Sequence, residues 1–396
     1  MKILITTFTF PPSKDGVSEA ARAMAEGLAE RGWDVVVATS YDPSRLDFSP
    51  MPNLRIMQFH VGGHPLLKGG VSGQVEEYKR LLEEENPDYL VCHCGADTWP
   101  TCLALSVFPR MRAVKIQISH GFSLQCWKPV GTFPWGLGYW LRFQPLVWFL
   151  PLILWRFDAL VFLSQQRDWN RFFDHTLARL FCHPRVEVIP NGTDLRAFDL
   201  KKTSFRERFG IGLGPMLLCV ANFSTRKNQE VAIRAFHRLE QTEASLVLVG
   251  SEFNEYSSYL LKLVGDLFPG NERRRVFMME RLSREDVLEA YLECDMTLLS
   301  AREETQPIVL IESMAAGKPW ISTDTGCVRN LPGGVVVSGE TEMTEMMRQM
   351  LDKPDWAAEL GRQGRRAAEA QYNWGRVLDA QEKLLLSLQS RVPAKI

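Results

Sequence analysis

Short, β-rich apolar runs alternate with stretches of helical periodicity along this chain, and the alternation runs through once and then begins again. Strands are expected over 2–7, 34–39, 54–59, 88–92, 113–118, 159–163 and 186–189, with a helix over 17–31 after the first. Gly32 stands just past that helix, where a left-handed residue closes a last turn. Apolar runs separated by helices imply a parallel sheet covered on both faces. The second set comprises strands over 216–220, 246–249, 276–278, 296–299 and 320–323, with helices over 228–240, 284–293 and 308–316. Such a pattern confines the chain to an α/β architecture of two doubly wound, Rossmann-like domains facing each other across a cleft. The turn-rich Asn191-Gly192-Thr193-Asp194 marks the junction, so the domains are expected at 1–192 and 193–371. In the tail, 372–396, Val377, Leu384, Leu385 and Leu388 form one apolar stripe of a helix.

The 396 residues suit two domains, or at most three. With 46 basic and 47 acidic residues, the chain lacks the cationic excess of a nucleic-acid binder, and no nucleic-acid partner is expected. Eight cysteines are too few for a disulfide scaffold and read as reduced thiols. Cys92-His93-Cys94 has no second pair at zinc spacing, so it reads as a strand end. The first apolar run is too short for a signal-peptide core and meets Pro11-Pro12 at once. The mature chain is therefore expected to begin here and to work in the cytosol.

Open parallel sheets bind ligands beyond the carboxyl ends of their strands. After the strand at 296–299, Pro307 suits the first position of a helix and Gly317 its end. That helix start would present N–H groups at Ile308 and Val309 to an anion. Glu304 and Glu312 would repel a phosphate but suit sugar hydroxyls as acceptors; the alternative is an ordinary solvated acidic helix start. After the strand at 216–220, Arg226-Lys227 precede a helix, a poor place for cations unless an anion is expected. A solvated basic loop is the alternative there. Cations and a helix terminus on loops of one domain suggest a diphosphate. In the first domain, Gly16 lets backbone approach a ligand closely, and His120 follows a strand as a sugar contact, a general base or a structural histidine. Neither G-x-G-x-x-G nor G-x-x-x-x-G-K-[ST] occurs, which removes support for a dinucleotide site or a phosphate-loop NTPase.

These residues resemble a family 4 retaining glycosyltransferase of the GT-B fold (glycosyl transferase group 1), over essentially the whole chain. The most specific elements are Glu304 and Glu312, followed by Ser313-Met314-Ala315-Ala316-Gly317-Lys318-Pro319. The loop at 11–16, His120-Gly121, Pro190-Asn191-Gly192-Thr193-Asp194, Lys227, Gly250 and Asp295 match as well. The resemblance implies that Glu304 contacts the transferred sugar and Glu312 the ribose. Backbone near Gln306, Ile308 and Val309 would hold the diphosphate, Lys227 would neutralise the leaving group, and His120 would bind the sugar from the opposite domain. It implies no metal and no cofactor beyond a UDP- or GDP-sugar as co-substrate, and front-face attack with retention. The acceptor would be a glycan or a lipid-linked precursor of surface polysaccharide. Three positions depart from the family: Asn222 replaces an Arg, so Arg226 would supply the second charge; Asp15-Gly16 replace two glycines; and Glu280 replaces a Gly near the base. A nucleotide-sugar epimerase of the same fold and a non-enzymatic sugar-nucleotide-binding partner of a membrane assembly complex are the competing readings.

Five of the 11 tryptophans fall within 127–155. Over 129–155 Arg142 is the only charge, but Pro134, Pro145 and Pro151 interrupt the run and a sheet strand follows. Spanning a bilayer would put that strand on the wrong side of its own fold. A monotopic contact through Trp135, Trp140, Trp148, Phe149 and Trp155 is expected at the inner face of the cell membrane, with burial in the first domain as the alternative. The tail helix is expected to cross back onto the first domain.

Overall fold

A computed structural model describes the chain except for residues 48–50, 66–68, 96, 122–134, 167–170, 200–202, 240–242, 271–274 and 392–396. Its elements run β1 (Lys2–Thr7), α1 (Gly16–Glu30), β2 (Asp34–Ser40), β3 (Leu54–Phe59), β4 (Val61–Gly63), β5 (Val71–Gly73), α2 (Val75–Glu84), β6 (Tyr89–His93), α3 (Trp99–Val107) and β7 (Val114–Ser119). Then come α4 (Trp135–Leu154), β8 (Ala159–Phe162), α5 (Phe173–Leu180), β9 (Val186–Val188), α6 (Phe205–Phe209), β10 (Met216–Val220), α7 (Gln229–His237), β11 (Ser245–Gly250), α8 (Glu255–Leu267) and β12 (Val276–Glu280). The chain continues through α9 (Arg284–Glu293), β13 (Met296–Leu299), α10 (Ile308–Ala315), β14 (Trp320–Thr323), β15 (Gly334–Val337), α11 (Glu340–Asp352), α12 (Pro354–Gln371) and α13 (Trp374–Ser387).

Both doubly wound sheets expected from the apolar runs are present, each parallel throughout. The first is ordered β3-β2-β1-β6-β7-β8-β9 and the second β12-β11-β10-β13-β14-β15. The chain separates into two units: Met1–Asn191 together with Gly375–Ile396, and Gly192–Trp374. Most of the expected strands lie within a residue or two of their apolar runs. The β4–β5 ribbon and β15 were not anticipated, because three- and four-residue strands among glycines leave no periodic signal.

The physical reasons are local and then cooperative. In β1 and β2, Ile3, Leu4, Ile5 and Val35 to Val37 are fully buried, which is what helices on both faces of a sheet require. Asp15 caps α1 by accepting the N–H groups of Val17 and Ser18, and Gly32 takes φ of +83° just past its end. The buried stripe of α1 is mostly alanine, which lets the helix lie close to its neighbours. Gly27 carries this furthest: a Cβ there would stand 2.3 Å from Leu378 Cδ1 of α13. The apolar stripe of α13, Val377, Leu384, Leu385 and Leu388, is buried. Polar bonds edge this contact: Arg31 pairs with Asp379 and Glu382, and Trp33 Nε1 donates to Glu382 Oε1 at 2.8 Å.

In each sheet the winding reverses once. In the first, β1 lies between β2 and β6; in the second, β10 lies between β11 and β13. At such a switch point two neighbouring loops leave the sheet in opposite directions and open a crevice at the strands' carboxyl ends.

Candidate functional site

In the second unit, the loop after β10 (221–228) and the loop after β13 (300–307) leave the sheet at its switch point. Their backbones are tied together. Arg302 N–H donates to Arg226 O at 2.8 Å, the Ser300 hydroxyl to Lys227 O at 3.3 Å, and Arg302 Nη2 to Asn228 Oδ1 at 3.2 Å. Gln229 Nε2 binds the carbonyls of Ala221 and Asn222, bracing the first loop from inside. This framework brings Lys227 Nζ onto the Glu304 carboxylate, with the side chains only 16% and 11% exposed. At that burial water screens the two charges weakly, so each holds the other in place.

Gly326 secures the second loop from beneath. It has φ of +48°, and a Cβ there would lie 2.4 Å from Thr305 O and 2.7 Å from Glu304 O. The next residue, Cys327, donates its N–H to Thr305 O at 2.9 Å. Sequence reading did not identify Gly326; its close approach depends on two loops distant in sequence.

The helix after Glu304 begins at Ile308, where the expected 308–316 helix begins, but the place of Pro307 differs from the sequence expectation. Pro307 has ψ of 109° and is the N-cap, not the first helical residue. Its carbonyl accepts the Leu310 N–H at 3.1 Å, so it closes the first turn as an acceptor while lacking a donor of its own. Ile308 and Val309 open α10, where geometry gives their N–H groups no partner inside the helix. Gln306 is buried beside them. One turn on, the Glu312 side chain is 8% exposed and its Oε1 lies 2.6 Å from Arg284 Nη2, the first residue of α9. Burial and the Glu312 carboxylate together hold the Tyr291 hydroxyl protonated well above its ordinary range. Arg284 was not among the residues singled out from sequence. The signal was present, since a cation in a first helical turn opposes the dipole unless an anion is near.

The other expected donor residues take varied positions. Asn222 and Arg226 are exposed, and Arg226 engages the second loop through its carbonyl. Gly250 ends β11 where a Cβ would strike the Phe223 ring at 2.4 Å, so its role there is to admit that ring. Phe223 in turn packs against Phe253, with centroids 5.5 Å apart. Glu280, across from Gly250 in register, accepts the Phe253 N–H at 2.6 Å. Asp295 accepts the Met216 N–H at 2.7 Å and ties the base of the sheet.

In the first unit, Gly16 is the exposed first residue of α1, behind the Asp15 cap. His120 follows β7 directly. Its Nε2 lies 3.1 Å from Nδ1 of His93, the last residue of β6, and the rings stack with centroids 5.3 Å apart. On the far side, His93 Nε2 is 3.3 Å from Met24 Sδ of α1. Burial pushes the His120 imidazole down to about 4. Burial, with His120 beside it, pushes His93 well below its usual range. Both rings are therefore neutral near pH 7. Nearby, Ser119 donates to the buried Asp174, whose carboxyl is raised by burial, and burial pushes Asp97 up to about 6.

The aromatic segment forms α4. Residues 129–134, and the side chains of Trp135 and Trp140, lie outside the described atoms. Leu146, Val147, Leu150 and Leu154 are buried, whereas Trp148, Phe149, Leu152 and Trp155 are 78%, 58%, 66% and 50% exposed. Trp155 Nε1 donates to Phe181 O at 3.0 Å, which joins exposed Leu180 and Phe181 to the same apolar face. From 98 to 157 the sequence has Arg110, Arg112, Lys115, Lys128, Arg142 and Arg156 and no acidic residue. Among the described residues no helix is long and apolar enough to cross a membrane.

Two family profiles match the chain: "Glycosyl transferases group 1" over residues 201–367 and "Glycosyl transferase 4-like domain" over 15–192. The N-acetyl-alpha-D-glucosaminyl L-malate synthase of Bacillus anthracis is 23% identical over 97% of this chain and 96% of its own length. The GDP-mannose-dependent monoacylated alpha-(1-6)-phosphatidylinositol monomannoside mannosyltransferase of Corynebacterium glutamicum is 28% identical over 55% of this chain, and the match spans 59% of its length. Among solved structures, the sucrose-phosphate synthase of Thermosynechococcus elongatus superposes with a TM-score of 0.80 at 20% identity, over 98% of this chain and 99% of that one. The Anabaena protein HepE in complex with UDP-glucose superposes with a TM-score of 0.74 at 16% identity, over 98% of this chain and all of that one.

Proposed function

Since the chain belongs to the group 1 glycosyltransferases of the GT-B fold, we propose that it transfers a hexose, with retention, from a nucleotide diphosphate sugar to a glycan or lipid-linked acceptor. The observation that carries this reading is the Lys227–Glu304 pair at the switch point of the second sheet, beside the start of α10. A diphosphate arriving at the first N–H groups of α10 competes for Lys227. Glu304, released from its ammonium partner, then accepts from sugar hydroxyls, and Glu312 likewise exchanges Arg284 for ribose hydroxyls. Lys227, Arg226 and the helix start supply the positive charge that a metal ion supplies elsewhere.

In the transfer step the acceptor oxygen bonds to the anomeric carbon from the face the leaving group vacates. The bond from that carbon to the diphosphate oxygen breaks, and the acceptor's proton passes to that leaving oxygen. Neutral His120 holds a sugar hydroxyl. The relatives named for GDP-mannose and solved with UDP-glucose support a GDP- or UDP-sugar as donor.

Thermal unfolding with UDP-, GDP- and ADP-sugars tests the reading. A ligand at a hundred times its Kd stabilises by about 2.7 kcal/mol, so the true donor raises Tm by several degrees. If no sugar nucleotide at millimolar concentration moves Tm, or if Glu304→Gln responds like wild type, the site assignment fails.

The acceptor end of the reading rests on α4. Its exposed face combines tryptophan and phenylalanine with a surrounding sequence rich in cations and empty of acids, which suits an anionic lipid surface. Sedimentation with phosphatidylglycerol vesicles is expected to carry the wild-type protein down. A variant with Trp148→Ser, Phe149→Ser and Leu152→Ser is expected to stay in solution. Wild-type protein remaining wholly in the supernatant removes the membrane contact.

A further inference from the structure

We propose that His93 is a positioning residue that fixes which nitrogen of His120 carries the proton, and that Met24 in turn fixes His93. His93 is 1% exposed and Met24 2%, so neither exchanges its partner for bulk water. A thioether sulfur has lone pairs and no proton to donate. With Met24 Sδ at 3.3 Å, His93 Nε2 makes a favourable contact only if it bears the hydrogen; otherwise two lone pairs face each other. A neutral imidazole has one N–H, so His93 Nδ1 is then an acceptor. The partner at 3.1 Å is His120 Nε2, which must therefore donate. The remaining lone pair of His120 is on Nδ1.

The relay runs from α1 through the end of β6 to the end of β7, and the sheet order places these two strands side by side. Its consequence is chemical. A His120 locked in the Nε2–H form has only acceptor character at Nδ1, able to take a hydroxyl hydrogen and unable to donate to a phosphate or carboxylate. Cys92-His93-Cys94, which resembles a metal ligand fragment in sequence, thus has its imidazole committed at both nitrogens. This inference rests on the transferase reading only in giving His120 a sugar to hold; the proton arrangement itself does not depend on it.

Long-range 1H–15N correlation NMR of the full chain at pH 7.5 reads the tautomers of the seven histidines directly, with assignments from His93→Phe and His120→Asn. Both His93 and His120 are expected in the Nε2–H form. Met24→Leu keeps the volume and removes the sulfur, and His93 is then expected to populate both tautomers. In transfer assays with the donor found by thermal unfolding, His93→Phe is expected to lose about tenfold or more in kcat with donor KM little changed. His93→Gln, whose amide oxygen can accept from His120, is expected to recover most of that loss. A proton on His120 Nδ1, unchanged tautomers in Met24→Leu, or wild-type kcat in His93→Phe overturns the proposal. If no donor is found, the NMR result still decides the relay, so failure of the transferase reading stays distinguishable from failure of this one.

Discussion

Lys227 and Glu304 neutralise each other where both are mostly withdrawn from water. Removing one partner leaves a stranded charge, a loss of about 3–5 kcal/mol for a buried pair. Lys227→Met and Glu304→Gln are each expected to lower Tm and abolish transfer. The double variant is expected to regain much of the stability and none of the activity. Additive Tm losses in the double variant would show that the two residues are not coupled. Asp97 offers a second test at this scale. Burial raises its carboxyl from the ordinary 3.8 to about 6, so the folded chain binds this proton more readily than the unfolded one. Its contribution therefore becomes unfavourable as pH rises from about 4 through 6, reaching roughly 2–3 kcal/mol at neutrality. His120 acts in the opposite sense. Held at about 4, it favours the fold above the unfolded value of 6.5, and that contribution is lost as pH falls from there towards 4. Asp97→Asn is expected to raise Tm at pH 8, with the gain gone by pH 4. A gain that persists at pH 4 would mean that charge burial is not its cause.

Single elements show where sequence periodicity stops short. α4 is apolar all round, so no stripe in the sequence separates a buried face from an exposed one. Packing makes the division: Leu146, Leu150 and Leu154 recur at four-residue spacing on the inner side, and Trp148 and Leu152 on the outer. For α1 the sequence marks the cap and the apolar face, yet it gives no reason for Gly27. The reason is Leu378, more than three hundred residues away on α13. Gly27→Ala is expected to cost about 1–3 kcal/mol through overpacking, despite alanine's better helix propensity. Adding Leu378→Ala is expected to cancel most of that penalty. A Gly27→Ala variant as stable as wild type in thermal unfolding would show that the helices part without cost.

At the scale of the whole molecule, the chain leaves its first unit after Asn191 and returns to it at Gly375. The first unit is thus completed by the last helix, whose buried leucines belong to its core. A chain ending at Trp374 is expected to lose amide-exchange protection throughout Met1–Asn191. Protection in Gly192–Trp374 is expected to persist, along with the Tm response to the donor. Equal protection of the first unit with and without α13 would show that the helix merely covers a stable surface.

The sequence by itself determined the two parallel sheets, the α1 cap, the loops that carry Lys227 and Glu304, and the stripe of α13. Each of these is written in residues close together along the chain, where apolar spacing and capping chemistry act locally. Tertiary structure decided the pairings. Lys227 reaches Glu304 across 77 positions and His120 reaches His93 across 27, because neighbouring strands in a wound sheet come from distant segments. Arg284 joins Glu312, and Gly326 supports the Glu304 loop, for the same reason. Strand order is set by long-range hydrogen bonding and packing of whole helices, which local periodicity does not record.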